Sequence, residues 1–164
     1  MSLFGALRAH IQPHTVSLEL DDIQATVLRL RPEPYFGSHL LLRFGDADAG
    51  RHLIRSLAPR IASASEWWNG AHPWVSFAIS YAGLEALELP QATLDSFPER
   101  FRVGMAARSA QLFDVGPNDP EHWERLFVEG GVHAAVTVLA ASEEAWRESL
   151  AFVEEQVQEQ VQQR

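Results

Sequence analysis

The 164-residue chain contains no cysteine. That excludes disulfide stapling, thiolate catalysis and cysteine-based metal sites. Long uncharged hydrophobic runs are missing as well. The first fourteen residues hold one short apolar stretch, broken by Arg8 and His10, with no small-residue cleavage site after it. Neither a secretion signal nor a membrane helix is read there. Positive charge is scarce: 13 Lys+Arg against 22 Asp+Glu give a formal net charge of -9 and a pI of about 5.2. An acidic surface repels nucleic acid and anionic lipid, so neither nucleic acid nor membrane is expected as a partner. Lack of cysteine does not by itself place a protein; with no export signal read, a cytoplasmic location is the expectation.

What is present is a globular balance, 46% hydrophobic and 21% charged, at a length that suits one domain. Residues 1–20 lack periodicity and read as an N-terminal arm; residues 21–164 read as a single domain. Residues 23–30 alternate apolar with Gln24, Thr26 and Arg29, a short strand ended by Pro32 and Pro34. Residues 39–44 (HLLLRF) form a nearly continuous apolar run, a buried strand. Asp46 is placed to cap a helix carrying Ala49, Leu53, Ile54 and Leu57. Residues 60–66 give a weaker strand, residues 67–73 a tryptophan-rich loop, and residues 74–80 a strand with Val75, Phe77 and Ile79 on one side.

Residues 81–87 predict a short helix. Ser96 to Glu99 has the capping-box pattern, ahead of a helix with Phe101, Met105 and Leu112 on one face. Residues 114–120 are turn-rich and residues 132–139 alternate as a strand. Residues 142–164 form a long amphipathic helix with Trp146, Leu150, Val153, Val157 and Val161 as its stripe. The order is β-α-β-β-α-β. It predicts an α+β, ferredoxin-like antiparallel sheet with helices on one face, an extra N-terminal strand and a long C-terminal helix. Leu41, Phe77, Ile79, Val136 and Val138 are expected to offer apolar side chains to both faces. Self-association through the sheet follows, with the Trp146–Val161 stripe either a second surface or folded back on its own sheet.

Several stretches resemble one known family. Asp22-Ile23-Gln24-Ala25 is similar to its opening Asp-Ile-Gln-Gly, with alanine where glycine is usual. Residues 40–46 (LLLRFGD) are similar to its next strand and helix cap, and residues 75–89 (VSFAISYAGLEALEL) to a characteristic strand-helix pair. Residues 97–108 (FPERFRVGMAAR), followed by Asp114 and by Pro120-Glu121-His122-Trp123, match its longer members, and residues 132–140 resemble the strand after them. The family is the dye-decolorizing (DyP-type) haem peroxidases, and the resemblance is to their N-terminal domain. It implies a complete enzyme that reduces peroxide while oxidising an organic substrate, with haem in a C-terminal half and this half as support. The family's Gly-x-x-Asp-Gly loop with its distal Asp, its distal Arg and its haem-ligating His have no matching position here. The expectation is therefore a truncated homologue or N-terminal domain that is not catalytic alone. No catalytic, cofactor-binding or metal residue is assigned, no cofactor is expected in this chain, and the expected partners are a second copy or a C-terminal haem-binding half. The alternative is a standalone dimeric ligand-binding or interaction module.

Some residues attract a functional reading that a plainer one outweighs. His133, in a predicted strand, reads as structural before it reads as a ligand, and His72 beside Pro73 as a loop residue. His10, His14, His39, His52 and His122 have weaker claims. Trp67, Trp68 and Trp74 invite a contact or electron-transfer role; more simply, one or two of them plug the sheet-helix core while another is half exposed. Gly130-Gly131 precedes a strand rather than a helix, which disfavours phosphate binding. The glutamates of the last helix, from Glu143 to Glu159, read as its solvated face.

Overall fold

The computed structural model describes residues 18–28, 35–66 and 72–162. Three strands, β1 (Phe36–Leu42), β2 (Trp74–Ile79) and β3 (Ala134–Ala140), form an antiparallel sheet in the order β1-β3-β2. In the register Leu40 faces Val136 and Leu42 faces Ala134 on one side, while Val75, Phe77 and Ile79 face Val138, Val136 and Ala134 on the other. Side chains alternate across a strand, so these residues share one face.

That face is the core. Helix α2 (Ala47–Leu57) and the long helix α8 (Glu143–Gln162) pack on it, burying Leu53, Leu57 and Val153 against Val136 and Val138. Each fully buried aliphatic side chain stabilises by about 1.5–3 kcal/mol. Asp46 caps α2 as expected, its carboxylate accepting from the Ala49 N–H at 2.8 Å. The stripe of α8 folds back on its own sheet: Trp146, Val153 and Val157 join the core, and Glu143, Glu144, Glu148, Glu154, Glu155 and Glu159 are exposed. The fold is thus α+β with an antiparallel sheet and a long C-terminal helix.

Several details depart from the sequence reading. The stretch read as an N-terminal strand is a 3-10 turn (Leu20–Asp22) followed by one helical turn, α1 (Ala25–Leu28). Its alternation is not a buried face: Ala25 is fully buried, but Val27 is 70% exposed. Residues 60–66 form no strand of the sheet. One isolated bridge, Ile61 to Val75, touches it, and a second joins Ser63 to Gln24 in the preceding turn. The capping box at Ser96 is absent. Ser96 instead closes α4 (Gln91–Asp95), donating to the Thr93 carbonyl at 2.7 Å, and Pro98 occupies the N-cap of α5 (Glu99–Arg102). The helix expected beyond it is broken into α5, a 3-10 turn and α6 (Ser109–Leu112), because Gly104 turns the chain with φ +73°. A further single turn, α7 (Arg125–Val128), precedes β3.

The second face of the sheet is also less apolar than expected. Phe77, Ile79, Val136 and Val138 all point into the helical layer, leaving Leu41 on the open face among His39, Ser76, Ala78, Ala135 and Thr137. Trp74 and Leu139 occupy one end of that open face, where Ala25 and Ala62 pack on them. Trp74 is buried, but on the face opposite α2 and α8 rather than in the sheet-helix core of the plainer reading; Trp67 and Trp68 lie outside the described residues.

Candidate functional site

Two places gather functional chemistry. The first is the sheet with its covering turn. Gln24, from the Asp-Ile-Gln stretch, lies beside the outer edge of β2. Its amide nitrogen donates to the Phe77 carbonyl and its amide oxygen accepts from the Phe77 N–H, both at 2.9 Å. The side chain stands in for a neighbouring strand and satisfies an edge that would otherwise be open for pairing. The Ala25 N–H donates to the Ala62 carbonyl at 2.8 Å, and the Ala62 N–H to the Val75 carbonyl at 3.1 Å, which continues the closure. On the same open face His39 Nδ1 and the Thr137 hydroxyl lie 2.9 Å apart.

The strand-helix pair at residues 75–89 owes its form to two small residues. Ser80 caps α3 (Tyr81–Ala86), its hydroxyl accepting from the Gly83 N–H at 3.0 Å and donating to the Val132 carbonyl at 2.6 Å. Gly83 then runs so close to the entrance of β3 that a Cβ there would lie 2.0 Å from the His133 carbonyl oxygen. Only glycine permits that approach.

The second place is a groove of about 670 Å³ between α5 with the turn after it and the segment from Leu126 to Val132. Phe101 forms its wall, held by Phe97 at a ring distance of 5.3 Å and edge-on to Tyr81 at 6.2 Å. The sequence reading did not foresee this groove. Its signal lay in apolar residues: Phe101, Met105 and Leu112, read as one helical face, are exposed, and so is Val103.

The histidines were tested for a haem or metal role by their surroundings. His133 sits just before β3 rather than within it. Its Nδ1 accepts from the Phe44 N–H at 3.1 Å, and its ring lies 5.4 Å from that of Phe44. Burial, and after it the charge of Arg43, hold its pKa below the usual 6.5. This is a structural histidine with its acceptor in use. His52, His72 and His122 are exposed, and none of the described histidines lines the large groove. His10 and His14 stand four apart, the spacing that puts two imidazoles on one helical face, with Pro13 between them; they lie outside the described residues. No cluster of three or more metal-ligating side chains occurs among the described residues. Axial ligation needs an imidazole with a free nitrogen at a cavity wall and a second group to orient it; His133 has its acceptor nitrogen engaged, and His72 lines a smaller cavity of about 210 Å³. Gly130, with φ +66°, ends the α7 turn and leads into β3 rather than into a helix, as its reading required. Among the described residues no helix is long and apolar enough to cross a membrane.

Comparison with known proteins agrees with this architecture. No curated protein matches the chain. Solved structures do. A DyP-type peroxidase from Anabaena sp. is 21% identical with a TM-score of 0.72, over 85% of this chain and 32% of its own. A decolorizing peroxidase from Auricularia auricula-judae is 20% identical with a TM-score of 0.72, over 87% of this chain and 31% of its own. An ancestral D-type dye-decolorizing peroxidase is 25% identical with a TM-score of 0.69, over 85% and 31%. The chain therefore spans about three-tenths of the length of these structures. Residues 57–164 match the family model described as the DyP dimeric alpha+beta barrel domain. With the strands, capped helices and glycine contact of that region in place, the chain belongs to the DyP N-terminal domain family.

Proposed function

We propose that this chain is the supporting N-terminal domain of a dye-decolorizing-type peroxidase, with residues 21–164 acting as one unit. Haem and the acid-base groups of peroxide reduction belong to a C-terminal half. The observation that carries the reading is the family match over residues 57–164 within a chain that aligns to about three-tenths of whole peroxidases. The described histidines support it, since each has a structural or solvent-facing setting. The role left to this domain is to present a preformed sheet, closed at the β2 edge by Gln24 and open on the His39–Thr137 face.

The test is haem titration into the pure 164-residue chain, followed by an assay for peroxide-dependent oxidation of an organic dye. The expected outcome is no saturable one-to-one Soret shift and no turnover above free haem. A sharp shift abolished by one histidine substitution, or turnover well above free haem, overturns the reading.

A standalone dimeric module is the second reading, favoured by the half-covered sheet. Two such faces can pack against each other, at a typical interface of roughly 1,600 Å². The partly polar character of the face, with His39, Ser76 and Thr137 on it, makes this association weaker than a fully apolar sheet would give. Light scattering at micromolar concentration separates the cases. A dimer weakened by Leu41→Glu supports pairing through the sheet, and a monomer at all concentrations removes it.

A further inference from the structure

All 13 of the chain's Lys+Arg positions are arginine. Three of them, Arg100, Arg102 and Arg108, line the 670 Å³ groove, and among the described residues no acidic one lines it with them. In a chain with 22 Asp+Glu and a net charge of -9, this is a local reversal of sign.

The arginines are poorly engaged by the protein. Arg108 Nε is buried without a hydrogen-bond partner, and Nη1 makes a long 3.3 Å contact to the Arg100 carbonyl. A buried donor left unpaired costs about 1–3 kcal/mol, so the protein itself leaves this guanidinium under-satisfied. Arg102 reaches Asp95 only at 3.9 Å, with both side chains substantially exposed, a pairing worth little. Beside these cations the groove is apolar. Phe101, Val103, Met105, Leu126, Phe127 and Val128 are each exposed, although burial is their usual place. Clustered exposed apolar groups mark a binding surface.

We propose that this groove binds an amphiphilic carboxylate, with its head on the guanidinium groups of Arg108 and Arg100 and its aliphatic tail along Phe101 and the Leu126–Val128 wall. A guanidinium matches a carboxylate two bonds at a time. The groove volume lies in the range of small-molecule sites, which combine an apolar lining with a few convergent polar groups. The site is independent of the peroxidase reading, because it needs neither haem nor a second half.

The test is calorimetric titration of the full chain with decanoate below its micelle concentration, alongside decanol and butyrate. Saturable one-to-one binding of decanoate is expected. Decanol, lacking the charge, and the Arg108→Gln variant should each bind at least about tenfold more weakly, the worth of a charged hydrogen bond. Butyrate, lacking the tail, should show no measurable heat. Arg100→Gln, at an exposed position, serves as the second variant should Arg108→Gln fail to fold, and should weaken decanoate similarly. Equal affinity for decanol and decanoate, or unchanged binding in both variants, overturns the proposal. Failure of decanoate to saturate, with a dimer that dissociates in Phe127→Ser, would assign the groove to a second copy and overturn it as well.

Discussion

The sheet with α2 and α8 and the excursion from residue 97 to residue 128 are built on opposite principles. In the first, regular elements bury one side of each other: Leu57, Val136, Val138 and Val153 are all but inaccessible. In the second, four-residue helical turns and 3-10 turns follow one another, and none of α5, α6 or α7 contributes a fully buried residue. Phe113 even sits in the left-handed region at φ 62° and is 84% exposed. A non-glycine residue accepts that strain of about 1–3 kcal/mol only where the surrounding chain imposes it. The first region is self-sufficient, whereas the second leaves apolar surface exposed and holds Arg102 and Arg108 by long contacts alone, 3.9 Å to Asp95 and 3.3 Å to the Arg100 carbonyl.

The contrast can be broken most sharply in the core. Leu57→Ala should cost about 2–5 kcal/mol by leaving a cavity beside Val136, while Phe127→Ala, at an exposed position, should stay within about 0.5 kcal/mol. Urea denaturation of the two variants checks this. Equal losses would show that the excursion is as integral to the fold as the sheet.

Gly83→Ala is the next largest effect. The added methyl meets a backbone carbonyl, which cannot rotate away as a side chain could. Overpacking of this kind costs about 1–3 kcal/mol, and the 2.0 Å approach puts this position at the upper end. Gly104→Ala meets nothing within 4 Å, so its cost is limited to the positive φ, roughly 1 kcal/mol. A thermal melt that ranks Gly104→Ala as the worse variant would mean that α3 moves away from β3 at little cost.

What the sequence made legible follows the same division. The strands read at residues 39–44, 74–80 and 132–139 and observed at Phe36–Leu42, Trp74–Ile79 and Ala134–Ala140, the Asp46 cap and the stripe of α8 were legible because periodicity reports burial on one side. Residues 23–30 misled because the same alternation served no buried face. There Gln24 is the informative residue, and its role as a side-chain substitute for a strand has no periodic signature. The pattern Phe101, Met105, Leu112 misled in the other direction, since helical spacing without a partner face describes an exposed surface. The groove escaped notice because its two walls, one from Pro98 to Arg108 and the other from Leu126 to Val132, come from separate segments of the chain. Gln24→Ala tests the first of these points. Losing two hydrogen bonds at the β2 edge should cost about 1–3 kcal/mol, including the unpaired Phe77 groups, and should raise the tendency of that edge to pair between molecules.

The smallest effect expected is a dependence on pH that belongs to the core and not to the excursion. His133 must be unprotonated at Nδ1 to accept the Phe44 N–H, and burial, with Arg43 second, already holds its pKa below 6.5. The folded chain therefore binds this proton less readily than the unfolded chain. Between the lowered folded value and 6.5 the unfolded state carries more protons, so stability rises with pH there. The contribution is complete above about pH 6.5, the unfolded value, and is lost as pH falls through the folded value. His133→Asn keeps an acceptor near Phe44 but does not titrate. Denaturation midpoints measured at pH 7.5 and pH 5.5 should fall further on acidification in the native chain than in His133→Asn. Identical slopes would show that His133 stays solvated enough to hold its proton equally in both states, and that the bond to Phe44 is dispensable to the entrance of β3.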